Sequence, residues 1–239
     1  LLAARPDLTQ TDGSLVTLLL DTLDNATQEP YKGVFRLTVQ SSGDGAGQVV
    51  DAPQLLLAPE DYRGPLQVSP DRGRLAYFYY NSEQPSLTVG QLRPPNSVRL
   101  LTLEGAGANT IRTVYQTETP FEFLAPNLAW QANDRLYLAR SRFAEGQVFG
   151  LDRFGVVAVQ LPAPGSQSAG QILASQYELP NQQKLRDFAA CRSGESALMV
   201  IETADGTLQL ARWDHAGTPR PLFGLTPILT RTFICWRAP

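Results

Sequence analysis

"LQVSPDRGRLAYFYY" occupies residues 66–80 and joins two unlike segments. Ser69-Pro70-Asp71-Arg72-Gly73 has the chemistry of a tight turn: proline presets φ, a short polar side chain bonds nearby backbone, and glycine relaxes the steric limits. "RLAYFYY" is a strand dense in aromatic residues. A short apolar stretch enters the turn and a stronger one leaves it, the pattern of a β-hairpin. The same pattern recurs in "LTQTDGSLVTLLL", "LAWQANDRLYLARS" and "FAACRSGESALMVIE". The matching positions are Gln10, Ser69, Gln131 and Cys191, spaced by 59, 62 and 60 residues.

Each copy has a second half, in which a strand-like run, a small-residue turn and another extended segment follow one another. These are "GVFRLTVQSSGDGAGQVV", "SVRLLTLEGAGANTIRTV", "GVVAVQLPAPGSQSAGQIL" and "GTLQLARWDHAGTPRPLF". The unit is therefore two linked hairpins, four strands, and the units fall at about 1–58, 59–120, 121–180 and 181–228. Residues 229–239 then read as the first strand of a further unit, or as a strand closing a ring, with Trp236 of "TFICWRAP" matching Trp130. The chain begins at Leu1, without methionine, and a segment of a longer protein is expected.

Repetition of a four-stranded unit selects among all-β architectures. One twisted four-stranded sheet cannot cover both of its faces, so successive units stack face to face around an axis. The expected fold is all-β, a β-propeller or partial propeller of about four four-stranded antiparallel blades. Runs such as "LAYFYY" and "ALMVI" fit strands covered on both faces, because they do not alternate apolar with polar residues. Helical periodicity is nearly absent; the nearest case, "NQQKLRDFAA" at 181–190, is short and leads into a strand-like stretch.

"VSPDRGRLAYF" resembles the repeat of TolB-like, WD40-like propellers, in which Trp-Ser-Pro-Asp-Gly precedes an apolar strand. Ser69, Pro70, Asp71, Leu75, Ala76 and Tyr77 match, with the glycine displaced by one place. "AWQANDRLYLA" keeps Trp130 and Leu136 around a shortened turn, and "RWDHAG" at 212–217 is similar to the Trp-Asp ending of a WD40 strand. The units are longer than the usual propeller repeat of about 40–45 residues, which implies longer loops, such as 21–31 and 81–96.

Composition bounds the function. The sequence has 239 residues, 43% hydrophobic and 18% charged, with a net charge of −3. That balance is globular, and the negative charge argues against nucleic acid as a main partner, since phosphate binding needs a basic field. Lys32 and Lys184 are the only lysines. No apolar run approaches the roughly 18–20 residues that cross a bilayer, so membrane association would act only through segments outside this chain. Cys191 and Cys235 exclude a cysteine zinc knuckle and a CxxC pair. Two states are open to them: one disulfide in an oxidising compartment, or two buried thiols.

No residue set reads as a catalytic, cofactor or metal site. His215, the one histidine, sits in the "WDHAG" turn beside Asp214, and no GxSxG elbow supplies a nucleophile. The glycine-rich "GDGAG" (43–47) and "GAGAN" (105–109) precede strands rather than helices, which makes them hairpin turns rather than phosphate cradles. Asp21, Asp24 and Asn25 are too few oxygen ligands for calcium and read as a solvated loop. Asn25-Ala26-Thr27 is a glycosylation sequon only in a eukaryotic secretory setting. Tyr77, Phe78, Tyr79 and Tyr80 fit inter-blade packing better than a stacking platform.

The leading expectation is a non-catalytic propeller scaffold that binds a protein partner within a larger extracytoplasmic assembly, with no cofactor. Two alternatives stand beside it. The resemblance to prolyl-oligopeptidase-like propellers would make the chain part of a hydrolase whose catalytic domain lies outside it. A small-ligand or carbohydrate-binding propeller would use a polar pocket on the axis, unless side chains such as Gln10 and Gln131 plug it.

Overall fold

The chain folds into strands that pair with their neighbours in sequence, as the hairpin repeat requires. A computed structural model describes residues 3–6, 15–21, 33–41, 47–62, 64–84, 93–105, 107–143, 151–163, 170–180, 182–191, 196–214 and 217–225. The first sheet holds β1 (Ala3–Pro6), β2 (Leu15–Asp21), β3 (Val34–Ser41), β4 (Gly47–Val49) and β5 (Gln54–Leu57). The second holds β6 (Leu66–Val68), β7 (Arg74–Tyr79), β8 (Ser97–Thr102) and β9 (Ile111–Gln116). The third holds β10 (Glu122–Ala132), β11 (Arg135–Phe143), β12 (Leu151–Gln160) and β13 (Gln171–Glu178). The fourth holds β14 (Lys184–Ala190), β15 (Ala197–Glu202), β16 (Leu208–Trp213) and β17 (Arg220–Leu225). All pairs are antiparallel. Four consecutive antiparallel sheets make the chain a partial β-propeller, with each sheet a blade.

One detail differs from the sequence reading. Blade 1 has five strand segments, because β4 and β5 both pair with β3: β4 along Val39–Ser41 and β5 along Val34–Arg36. Its fourth strand is thus broken between Val50 and Pro53, where proline has no N–H to donate. The stretch that came nearest to helical periodicity leads into the inner strand β14 over Lys184–Ala190, as the four-strand repeat requires. The "GAGAN" segment is the turn between β8 and β9, as its composition predicts, with Asn109 N bonded to Thr102 O at 2.8 Å.

Strand period two sends alternate residues to opposite faces, and the interior blades use both. In blade 2, Leu75, Tyr77, Leu101 and Leu103 pack with Val34, Leu57 and Tyr62 of the preceding blade region. From the same strands, Ala76, Phe78, Val98 and Leu100 pack on Leu128, Leu136, Leu138, Val157 and Val159 of blade 3. The other residues of β11 and β12, Tyr137, Ala139, Phe154, Val156 and Ala158, meet Phe188, Met199, Ile201 and Trp213 of blade 4. The aromatic run from Tyr77 divides in this way: Tyr77 and Phe78, 0% and 1% exposed, enter different seams.

Trp213 anchors the seam between blades 3 and 4. Its ring lies edge-on to Tyr137 at 5.9 Å and tilted against Tyr177 at 6.0 Å. Burial pushes the Tyr137 phenol up to about 12. The Trp-Asp dipeptide at 213–214 therefore supplies a core residue followed by an exposed one, with Asp214 paired to Arg212 at 2.6 Å.

Polar contacts set the register between blades. Trp130 Nε1 donates to Gln67 O at 2.8 Å, joining inner strands β10 and β6. Asn127 Nδ2 donates to Asp187 Oδ1 at 3.1 Å, joining β10 to β14. Asp71 N donates to Asn133 Oδ1 at 2.9 Å, so the opening turn of blade 2 rests on that of blade 3. Further out, Gly170 N donates to Val114 O at 3.0 Å. A Cβ on Gly170 would lie 2.6 Å from that oxygen, so only glycine permits the approach.

The opening turn is braced by its own side chains. Ser69 Oγ donates to Asp71 Oδ1 at 2.5 Å, and the same oxygen accepts from Gly73 N at 3.0 Å. The left-handed residue is Arg72, φ 61°, one place before the glycine. Thr203–Thr207, between β15 and β16, repeats the design: Thr203 Oγ1 and Thr207 N both donate to Asp205 Oδ1, at 2.5 and 3.0 Å. There Gly206 takes the left-handed position, φ 84°.

Trp213→Ala should cost about 3–5 kcal/mol, read by urea unfolding. Phe223→Ala on β17, where the ring is 57% exposed, should cost under about 1 kcal/mol. Equal costs would contradict a seam anchored by Trp213.

Candidate functional site

Strand direction gives each blade two ends. One carries the opening turns at 69–73 and 133–134; the other carries the β7–β8 and β13–β14 connections. The second end concentrates charged and aromatic side chains from blades 2, 3 and 4.

In blade 2 its frame is Asn96, 1% exposed. The Asn96 side chain bonds the Asn81 backbone twice, accepting from N at 2.7 Å and donating to O at 2.9 Å. Its backbone bonds Tyr79 O at 3.1 Å and Thr117 N at 2.9 Å, and Pro95 O accepts from Leu124 N at 2.8 Å. Pro95 and Asn96 together thus tie the loop after β7 to the end of β9 and the start of β10. Two cation–π pairs flank it: Arg99 lies 3.3 Å from the Tyr79 ring centroid and Arg93 lies 5.8 Å from that of Tyr80. Such pairs fix guanidinium groups while leaving their edges available.

Blade 3 contributes a shallow depression lined by Glu122, Arg140, Ser141, Arg142, Phe154, Gly155 and Glu178. Arg140 lies between two carboxylates, 3.8 Å from Glu122 and 3.4 Å from Glu178. Burial pushes up the neighbouring Tyr115 phenol, against the opposing charge of Arg140. Ser141 Oγ donates to Ala125 O at 3.2 Å, and among the described residues no base bonds this hydroxyl. The site can pair with groups of either sign. Blade 4 adds Glu202, held by Arg186 and, at 3.3 Å, by Lys184. The hydrogen bond from Arg186 leads in holding the Glu202 carboxyl below the usual range.

The sequence-derived candidates fall elsewhere. Asp21 ends β2, while Asp24, Asn25, His215, Gln10, Cys235 and Trp236 lie outside the described residues, as does "GDGAG" apart from Gly47. Gln131 is partly buried and accepts from Arg135 Nη1 at 3.4 Å. Cys191 is 4% exposed at the end of β14, with its N bonded to Ser196 O at 2.8 Å. Among the described residues no cysteine is free, and no group of three or more His, Cys, Asp or Glu is placed to hold a metal. No sequence signal marked Asn96 or Arg140: each acts through partners on other strands or loops.

No family model matches the chain, and no curated protein matches it. Solved structures resemble it at low identity. A prolyl endopeptidase is 19% identical, with 91% of this chain and 28% of that one covered, at a TM-score of 0.45. The acylaminoacyl peptidase of Pyrococcus horikoshii is 14% identical, over 88% of this chain and 31% of that one, at 0.45. A putative TolB from Agrobacterium tumefaciens is 12% identical, over 90% and 62%, at 0.49. The chain spans about three-tenths of the length of these peptidases. The strand pairing itself defines the class: an all-β domain of four antiparallel sheets, of the propeller kind.

Glu202 gives the site a pH dependence. Its folded pKa is lowered, so its stabilisation is present above the unfolded carboxylate value and lost as pH falls through the folded one. Glu202→Gln should lower Tm at pH 7, and the gap to the parent protein should close below about pH 4. A gap unchanged down to about pH 3 would place the effect elsewhere.

Proposed function

We propose that this chain is a non-catalytic propeller module that recognises a protein partner, within a larger extracytoplasmic assembly. One observation supports it above the rest: the surface framed by Asn96 presents fixed guanidinium groups, tyrosine rings and the Arg140 depression on one end of two adjoining blades. Arginine and tyrosine are favoured at protein interfaces because they bury large areas at low entropic cost. A photo-crosslinking residue placed at Arg93 or Glu178 of the full-length protein in its own cells should give adducts of one defined mass. The same residue at Leu222 should give none. Adducts from neither Arg93 nor Glu178 would sink the reading.

The second reading places the module in a hydrolase of the prolyl-oligopeptidase kind. Its support is the repeat around Ser69–Tyr77 together with a single histidine in the whole sequence. The nucleophile, base and orienting acid would then come from outside these residues. A GxSxG segment elsewhere in the reading frame decides for it, and a frame without one decides against it.

We also propose that Cys191 and Cys235 are bridged, as suits an oxidising compartment. Cys191 and Cys235 are the two cysteines of this sequence. Alkylation without reductant should leave the protein mass unchanged; a gain of two alkyl groups would show two thiols.

A further inference from the structure

Of the two faces of blade 4, one packs on another blade among the described residues: Met199, Ile201, Ala211 and Trp213 meet blade 3. Strand alternation turns Leu198, Val200 and Leu210 to the other face. There Val200 pairs with Leu210, and Leu210 with Phe223, across the sheet. Val200 and Leu210 are 2% and 6% exposed, yet neither belongs to any of the three inter-blade cores. The burial is graded, since Phe223, beside Leu210 on the outer strand, is 57% exposed. A face buried at its middle and open at its edge is covered by something narrower than a whole blade.

Cys191 identifies the cover. It closes the hairpin of β14 and β15, its N bonded to Ser196 O at 2.8 Å, as Ser69 N is bonded to Arg74 O at 2.9 Å in blade 2. Alternation from Ala189, the partner of Leu198, places Cys191 on the same outer face. It is 4% exposed and is not a free thiol. Cys235 is the other cysteine of the sequence, ten residues past Leu225, where β17 ends. A disulfide holds its two Cα atoms within about 7 Å, so a segment bridged to Cys191 lies against this face. Elsewhere the equivalent position is filled by an inner strand: β10 covers blade 2, with Leu124 and Leu128 on Ala76, Phe78, Val98 and Leu100.

We propose that residues 229–239 form an extended segment on the outer face of blade 4, clasped at the β14–β15 turn by a Cys191–Cys235 bridge. In an extended chain Phe233 shares the side of Cys235 and covers Val200 and Leu210. Trp236 then turns away from blade 4. This register differs by one residue from the repeat, in which Trp130 faces the preceding blade and Ala129 the following one. The bridge, rather than the repeat, sets it. The inference rests on the proposed bridge and is independent of the partner surface around Asn96 and Arg140.

The test is a double-mutant cycle on the full-length protein, read by urea unfolding with the bridge intact. The effects of Val200→Ala and Phe233→Ala on the unfolding constant should combine to about threefold or more below their product. Those of Val200→Ala and Trp236→Ala should multiply. Where Phe233→Ala leaves no cooperative transition, Phe233→Leu takes its place. Independent effects of Val200 and Phe233 would overturn the proposal, as would coupling of Val200 to Trp236 instead. An added dithiol, which reduces the bridge to two thiols and is itself oxidised to a disulfide, should lower the parent's melting temperature by about 5 °C or more. It should leave the Cys191→Ser, Cys235→Ser protein unchanged. No shift in the parent, or an equal shift in both, would overturn the clasp. A protein that fails the cycle yet crosslinks from Arg93 or Glu178 loses this inference and keeps the proposed function.

Discussion

Everything in this fold depends on interior sheets being covered on both faces. Alone, a four-stranded sheet that is apolar on both faces would leave both in water, which limits its stability. Blades 2 and 3 gain independence from that limit because successive residues of β7, β8, β11 and β12 enter different seams. The constraint explains the composition of those strands. Neither face of "LAYF" or "GVVAV" can carry charge, and only strand ends reach solvent. It also dictates where function can be carried, since polar side chains are confined to the two ends and the outer edges.

Apolar packing tolerates sliding, and hydrogen bonds do not. Trp130 to Gln67, Asn127 to Asp187 and Gly170 to Val114 tie inner and outer strands of neighbouring blades at defined heights. The charged groups at the ends are thereby held at fixed separations, which a recognition surface needs before it can be selective. Asn96 extends the same logic into the loops by satisfying backbone groups that no strand reaches.

The fold was legible in the sequence because the repeat is written in local chemistry. Ser69-Pro70-Asp71 builds its turn from its own side chains, and the strands beside it carry their burial in unbroken apolar runs. Blade 1's broken outer strand was less legible: Pro53 hints at an interruption, but a break looks like a loop until pairing to β3 is seen. The candidate sites were not legible. Arg140 gains meaning from Glu122 and Glu178, 18 and 38 residues away. Trp213 lies between these cases, marked by a dipeptide whose burial only the seam reveals.

The aspartate-braced turn occurs twice, at Ser69–Gly73 and at Thr203–Thr207. The first joins strands one and two of its blade; the second joins strands two and three of another, at the opposite end. Such a turn is a portable part, assembled from residues within five positions and indifferent to its surroundings. A motif search keyed to Ser/Thr-x-Asp followed by a nearby Gly would therefore place "TADGT" in phase with "SPDRG" and shift the frame of blade 4 by one strand. Phase in a propeller of this kind is carried by the strands' double burial, and the turn signature alone misassigns it.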